Sequence, residues 1–193
     1  MVIYYSQGSE FMLRTCDILD EKNECLRKKN TDMEFPLSKE EKKLIHDMLE
    51  HLYLSQIEEE AEKYDLRPGM GLAGPQVGVN KNFFVVCHEE SEGIFKDYIL
   101  INPKMISHSE ELIYSSGGEG CLSVNRDVQG IVPRYARVTF EGYDADGKKV
   151  RYRAREELSI AFQHELDHLN GILFYDHIDP KNPFKNMEYM REI

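Results

Sequence analysis

Basic residues are scarce beside acidic ones: 24 Lys and Arg stand against 35 Asp and Glu, for a formal net charge of −11. Neutralising phosphates needs a basic face, so nucleic acid is excluded as the main substrate, and the excess acid reads as solvated surface. Cysteine is equally sparse. Cys16, Cys25, Cys87 and Cys121 form no CxxC pair, so a disulfide scaffold is not expected and a reducing cytoplasmic setting is. No apolar run reaches the roughly 18 residues of a membrane-spanning helix, so no membrane partner is expected. The first residues, Met1 to Gln7, lack the basic and apolar segments of a secretory signal. Internal repeats and low-complexity linkers are missing too. What is present is a chain of 193 residues, 41% of them hydrophobic. That suits a single domain over 1–193 with a substantial core. Residues 1–11 read as an extension, with Gly8-Ser9-Glu10-Phe11 as a cloning remnant before a start at Met12.

A helix is predicted from Leu37 to about Tyr64. Ser38-Lys39-Glu40-Glu41 has the form of a capping box, and Leu44, Ile45, Met48, Leu49 and Leu52 fall on one face. Pro68 and Gly69 end it, and the glycine-rich stretch Gly69 to Gln76 follows. Strands are expected at Phe83–Val86, Tyr98–Ile101, Leu112–Tyr114, Arg137–Phe140 and Val150–Arg153, the last two flanking the turn Asp144-Ala145-Asp146-Gly147. A second helix should run from Glu156 to Leu169 with Leu158, Phe162 and Leu169 buried, stopped at Gly171. Phe174-Tyr175 reads as a last short strand. Strands in the middle with helices towards either end give an α+β class: mixed, mostly antiparallel sheets around a central helix.

That helix contains Gln163-His164-Glu165-Leu166-Asp167-His168, and so His-Glu-x-x-His. Histidines at i and i+4 project from one helix face and can share a metal ion, and the glutamate between them can reach a coordinated water. A third ligand is required. Glu188 would make the chain a zinc endopeptidase. Cys121, in Glu119-Gly120-Cys121-Leu122-Ser123, would supply a thiolate beside glycines that permit close backbone approach. The other histidines, His46, His51, His88, His108 and His177, read as surface or loop residues.

Three segments occur in order: Gly69-x-Gly71-Leu72-Ala73-x-Pro75-Gln76, Glu119-Gly120-Cys121-Leu122-Ser123, and Gln163-His164-Glu165-x-Asp167-His168. Together they resemble peptide deformylase over roughly Leu37 to Ile178, and the 37–68 stretch with the ending Phe174 to Ile178 looks like its type II subclass. The resemblance implies an enzyme that removes the formyl group from the formylmethionine of nascent polypeptides. It implies Cys121, His164 and His168 as ligands of one divalent metal, ferrous iron physiologically, with Zn2+, Ni2+ or Co2+ after purification. It implies Glu165 as the proton carrier, Gln76 and the Leu122 N–H as oxyanion donors, and Gly71 in substrate binding. A transient ribosome contact would fit such a role. The family has alanine where this chain has Gly74, a change expected to loosen the loop around Gln76.

Two further expectations concern the surroundings. Glu119, Arg134 and Asp167 should form a buried charged network clamping the cysteine loop onto the helix. The peptide should lie as an added strand along residues 112–118, with Ile160 and Phe162 as candidate walls of a methionine pocket.

Overall fold

The computed structural model describes residues 13–193, so the reading of residues 1–11 and of a start at Met12 falls outside the described residues. The first helix, α1 (Lys39–Ser55), begins as the sequence predicts. The Ser38 side chain accepts from the Glu41 N–H at 3.1 Å while the Glu41 carboxylate accepts from the Ser38 N–H at 2.8 Å. The prediction of one helix as far as Tyr64 is corrected. Ile57 is extended, and a separate α2 (Glu58–Tyr64) follows. The Gln56 side-chain amide donates to the carbonyls of Leu52 and Cys87, both at 3.0 Å, which ties the break to the neighbouring sheet. Glu58, Glu59 and Glu60 then suit the positive end of α2.

The larger sheet contains β1 (Gly71–Ala73), β2 (Phe83–Ser91), β3 (Ile94–His108), β6 (Arg137–Tyr143) and β7 (Lys149–Arg155), all antiparallel in the order β1-β2-β3-β6-β7. A smaller one has β4 (Leu112–Tyr114) in the centre, with β5 (Arg134–Tyr135) antiparallel on one side and β8 (Arg191–Glu192) parallel on the other. The turn between β6 and β7 forms as expected: Asp144 N–H donates to the Lys148 carbonyl, and Gly147 adopts φ +76.

The run Phe83-Phe84-Val85-Val86 shows no polar alternation because both faces of β2 are covered. Phe83, Val85 and Cys87 pack with Met48, Leu49 and Leu52 of α1. Phe84 and Val86 pack on the opposite face with Leu158, Phe162 and Leu169 of α3 (Glu156–Leu169). Phe162 centres the second cluster, its ring 5.6 Å from Phe84 and 5.5 Å from Tyr98 and Phe140, each edge to face. The α+β class and the bounds of α3 agree with the sequence. Gly171 follows the helix at φ +73, and a Cβ there would meet the Arg27 carbonyl oxygen at 2.7 Å. The expected strand at Phe174-Tyr175 is corrected to a 3-10 turn, Phe174–His177. There Asp176 accepts from the Leu173 N–H at 2.8 Å and is gripped by Arg27, so a local side-chain bond replaces ladder pairing. No helix among the described residues is long and apolar enough to cross a membrane.

Candidate metal centre and catalytic cleft

Next to its apolar stripe, α3 buries Gln163, His164, Glu165 and His168, none more than 8% exposed. Polar groups so placed need partners. Two of them find one in the 119–123 loop: the ligand atoms of Cys121, His164 and His168 all lie within 4.8 Å of one another, with Cys121 Sγ 3.3 Å from His168 Nε2. His164 Nδ1 lies 2.9 Å from a Glu119 carboxylate oxygen. A carboxylate there accepts a hydrogen bond from Nδ1–H, which leaves the Nε2 lone pair free to ligate. The donor set, one thiol and two imidazoles, fits a divalent transition ion. No fourth His, Cys, Asp or Glu joins the group among the described residues, which suits an open catalytic position.

Around this centre the charged groups are buried and paired. Arg134 forks onto Glu119 at 2.7 and 2.9 Å and reaches Asp167 at 2.6 Å. Asp167 is also 2.7 Å from His177 Nε2, so His177 is no isolated surface histidine. Burial alone would raise Glu119, but its bonds to Arg134 and then His164 hold it down at about 2. Burial opposes a charge on both imidazoles. Contacts with Cys121 and Glu119 nevertheless raise His164, whereas burial and the neighbouring His164 charge lower His168. Glu165 is 3% exposed, and its Oε2 has no hydrogen-bond partner among the described residues. Burial pushes its carboxyl up to about 7, helped by the Asp167 and Glu119 charges against the pull of His164. An acid poised near neutral pH can both take and return a proton.

The opposite wall is β1 with the turn after it. Gln76 is 1% exposed and fixed at both ends of its amide: Oε1 accepts from the Ala73 N–H at 2.9 Å, and Nε2 donates to Ser123 Oγ at 3.2 Å. The same Nε2 lies 3.6 Å from Cys121 Sγ, which brings Gln76 to the Cys121–His164–His168 cluster. A Cβ on Gly71 would stand 2.4 Å from Glu165 Oε1, so glycine there makes room for the carboxylate. The expectation that Gly74 loosens the loop is corrected. A Cβ at Gly74 would meet the Phe83 ring at 2.6 Å and the Val79 carbonyl oxygen at 2.8 Å, so neighbouring atoms already fill the space of the missing methyl.

Sequence reasoning missed Arg67, which donates to the carbonyls of Cys121 (3.2 Å), Leu122 (3.4 Å) and Val124 (3.3 Å) and to the side chain of Asn125. Holding these carbonyls fixes the orientation of the Leu122 peptide. Only tertiary contact reveals this, because nothing in Leu66-Arg67-Pro68 distinguishes a clamp from a surface arginine. His51 is a further correction: it is fully buried in α1, with Nδ1 2.9 Å from the Leu13 carbonyl oxygen, and burial lowers its pKa. Glu188 is exposed, in a 3-10 turn outside the cluster.

The cleft leading to the centre has a volume of about 400 Å³, and Gly71, Gln76, Cys121, Leu122, Ile160 and Glu165 are among its walls. Ile160 thus faces the cleft, whereas Phe162 is core. The expected peptide edge at 112–118 is corrected in part, since β4 is already paired on both sides by β5 and β8.

A thiol and two imidazoles converging beside a buried carboxylate, at the end of an open cleft in an α+β fold, define the class of metal-dependent hydrolases. The sequence profile described as polypeptide deformylase matches residues 15–184. Peptide deformylase 2 of Bacillus cereus is 46% identical over 173 residues, covering 90% of this chain and 94% of that protein. Peptide deformylase of Listeria monocytogenes is 50% identical over 173 residues, covering 89% and 94%. Among solved structures, a probable peptide deformylase of Synechococcus phage S-SSM7 superposes with TM-score 0.69 at 35% identity, covering 83% of this chain and 98% of the other. The Thermotoga maritima peptide deformylase gives 0.68 at 30% identity, covering 89% and 100%. The chain belongs to the peptide deformylase family.

Proposed function

We propose that Cys121, His164 and His168 hold one divalent metal ion, and that Glu165, Gln76 and Leu122 carry out deformylation beside it. The reaction hydrolyses the formyl amide of N-terminal formylmethionine on nascent polypeptides and releases formate. One observation carries this reading: the ligand atoms of Cys121, from its loop, and of His164 and His168, from the helix that also buries Glu165, all lie within 4.8 Å of one another. When bound, the ion supplies Lewis-acid polarisation and acidifies water.

The chain's own groups supply the rest. Glu119 fixes the His164 tautomer. Glu165 takes a proton from the attacking water and passes it to the departing amine nitrogen as the C–N bond breaks. Gln76 Nε2 and the Leu122 N–H donate to the oxyanion that develops on the formyl oxygen. Gly71 lies on β1, which has no strand on its outer side among the described residues, and its backbone there can hydrogen-bond an extended peptide irrespective of sequence. Ile160 and Met70 line the cleft as apolar walls for the methionine side chain. The resemblance to the family favours ferrous iron in the cell, and the same ligands accept zinc, nickel or cobalt. The enzyme acts as one domain in the cytoplasm, transiently at the ribosome.

The test is formate release from formyl-Met-Ala-Ser by protein prepared without oxygen, with casein as the control substrate. Release from the formyl peptide alone is expected, with Cys121→Ser losing metal and Glu188→Ala behaving like the parent. Casein cleavage that survives Cys121→Ser and disappears in Glu188→Ala would hand the site to the endopeptidase reading.

A further inference from the structure

Residues 191–193 lie beyond the part of the chain matched to the family, which ends at residue 184, yet they reach the catalytic cleft. Ile193 N–H donates to the Tyr114 carbonyl and Ile193 C=O accepts from the Ser116 N–H, both at 3.0 Å. Arg191 anchors the segment, forking onto Glu156 at 2.7 and 2.8 Å and reaching Glu111 at 2.8 Å. Glu192 accepts from the Tyr114 hydroxyl at 3.0 Å.

Two consequences follow from this pairing. The backbone edge of residues 113–116 is filled, so a peptide entering the cleft cannot add to it and is confined between this segment and β1, which has no outer neighbour among the described strands. Strand alternation puts Ile193 on the same side as Arg191, towards the first turns of α3. From there Ile193 lines the cleft together with Glu157 and Ile160.

We infer that Ile193 is a specificity-determining residue, an apolar wall for substrate residues beyond formylmethionine. The inference rests on the deformylase reading and adds to it a contact that the metal ligands and oxyanion donors do not provide. A short substrate never touches this wall; a longer one with an apolar third residue does.

The experiment compares formyl-Met-Ala with formyl-Met-Ala-Leu for the parent and for Ile193→Ala. Losing part of an apolar contact should raise KM for the longer peptide about fivefold, with kcat and all constants for the shorter one held within about twofold. Ile193→Leu should restore the parent KM. Arg191→Ala, which frees the segment without altering the wall residue, should shift KM for the longer peptide in the same direction. Equal losses on both peptides would mean a merely structural role and would overturn the inference, as would no change on either. If the parent released no formate from either peptide, the deformylase reading would fall first and this inference with it.

Discussion

Helices α1 and α3 pack on opposite faces of one sheet, and each buries a histidine–glutamate neighbour pair: Glu50-His51 in α1 and His164-Glu165 in α3. Their fates differ. In α1, among the described residues, His51 finds one backbone carbonyl and Glu50 Oε2 finds no hydrogen-bond partner. The side chains of His46, Asp47 and Glu50 also lie near one another, but Asp47 is engaged by Lys43 at 2.5 Å. In α3, a second segment arrives with Cys121 and Glu119, a third with Arg134, and the buried polar residues become a site. Burial of a histidine beside a glutamate therefore says little by itself. What separates the two helices is whether the chain returns with ligands and counter-charges.

The sharpest way to break this contrast is to neutralise each glutamate in turn. Glu165→Gln should cut kcat by about 10²–10⁴ with metal retained, whereas Glu50→Gln should leave it within about twofold. Formate-release kinetics with metal analysis decide the matter, and comparable losses would erase the distinction. Next in size is Arg134→Leu, which strands Glu119 and Asp167 without their cation. Both are largely buried, with side chains 5% and 16% exposed, so the expected loss is about 3–5 kcal/mol of folding stability. Metal affinity should also drop by about 10–100-fold as His164 loses its fixed partner. Urea unfolding and metal titration read the two effects, and unchanged values in both would remove the network from the account.

The smallest effect concerns pH. Glu165 titrates at about 7 in the fold against an ordinary 4.5. Its neutral form therefore favours the folded state at low pH, and that contribution is lost as pH rises through about 7. In metal-free protein, the stability gap between Glu165→Gln and the parent should widen in favour of the variant between about pH 5 and about pH 8.5, by at most ~3 kcal/mol. A gap that stays constant over that range would show that Glu165 is not held as a neutral acid.

Much of this was legible in advance because periodicity and spacing are local. The capping box at Ser38 and the bounds of α3 each follow from a handful of adjacent residues. The grouping of Cys121 with the two histidines came from motif order, since no local pattern chooses between Cys121 and Glu188. Three of the errors share one cause. The break at Gln56 depends on the Cys87 carbonyl, the space at Gly74 on the Phe83 ring, and the burial of His51 on the segment around Leu13. Each is set by a partner distant in sequence.

Sequence alone fixed the start of α1, the bounds of α3, the five main strand runs, the α+β class and the chemical types available on α3, since backbone preference and hydrophobic period act over a few residues. Long-range packing alone set the burial that raises Glu165 towards neutral pH, the hold of Arg67 on the Leu122 peptide, and the place of Ile193 among the cleft walls. Burial and charge pairing are properties of the space around a group, and that space is assembled from residues far apart along the chain.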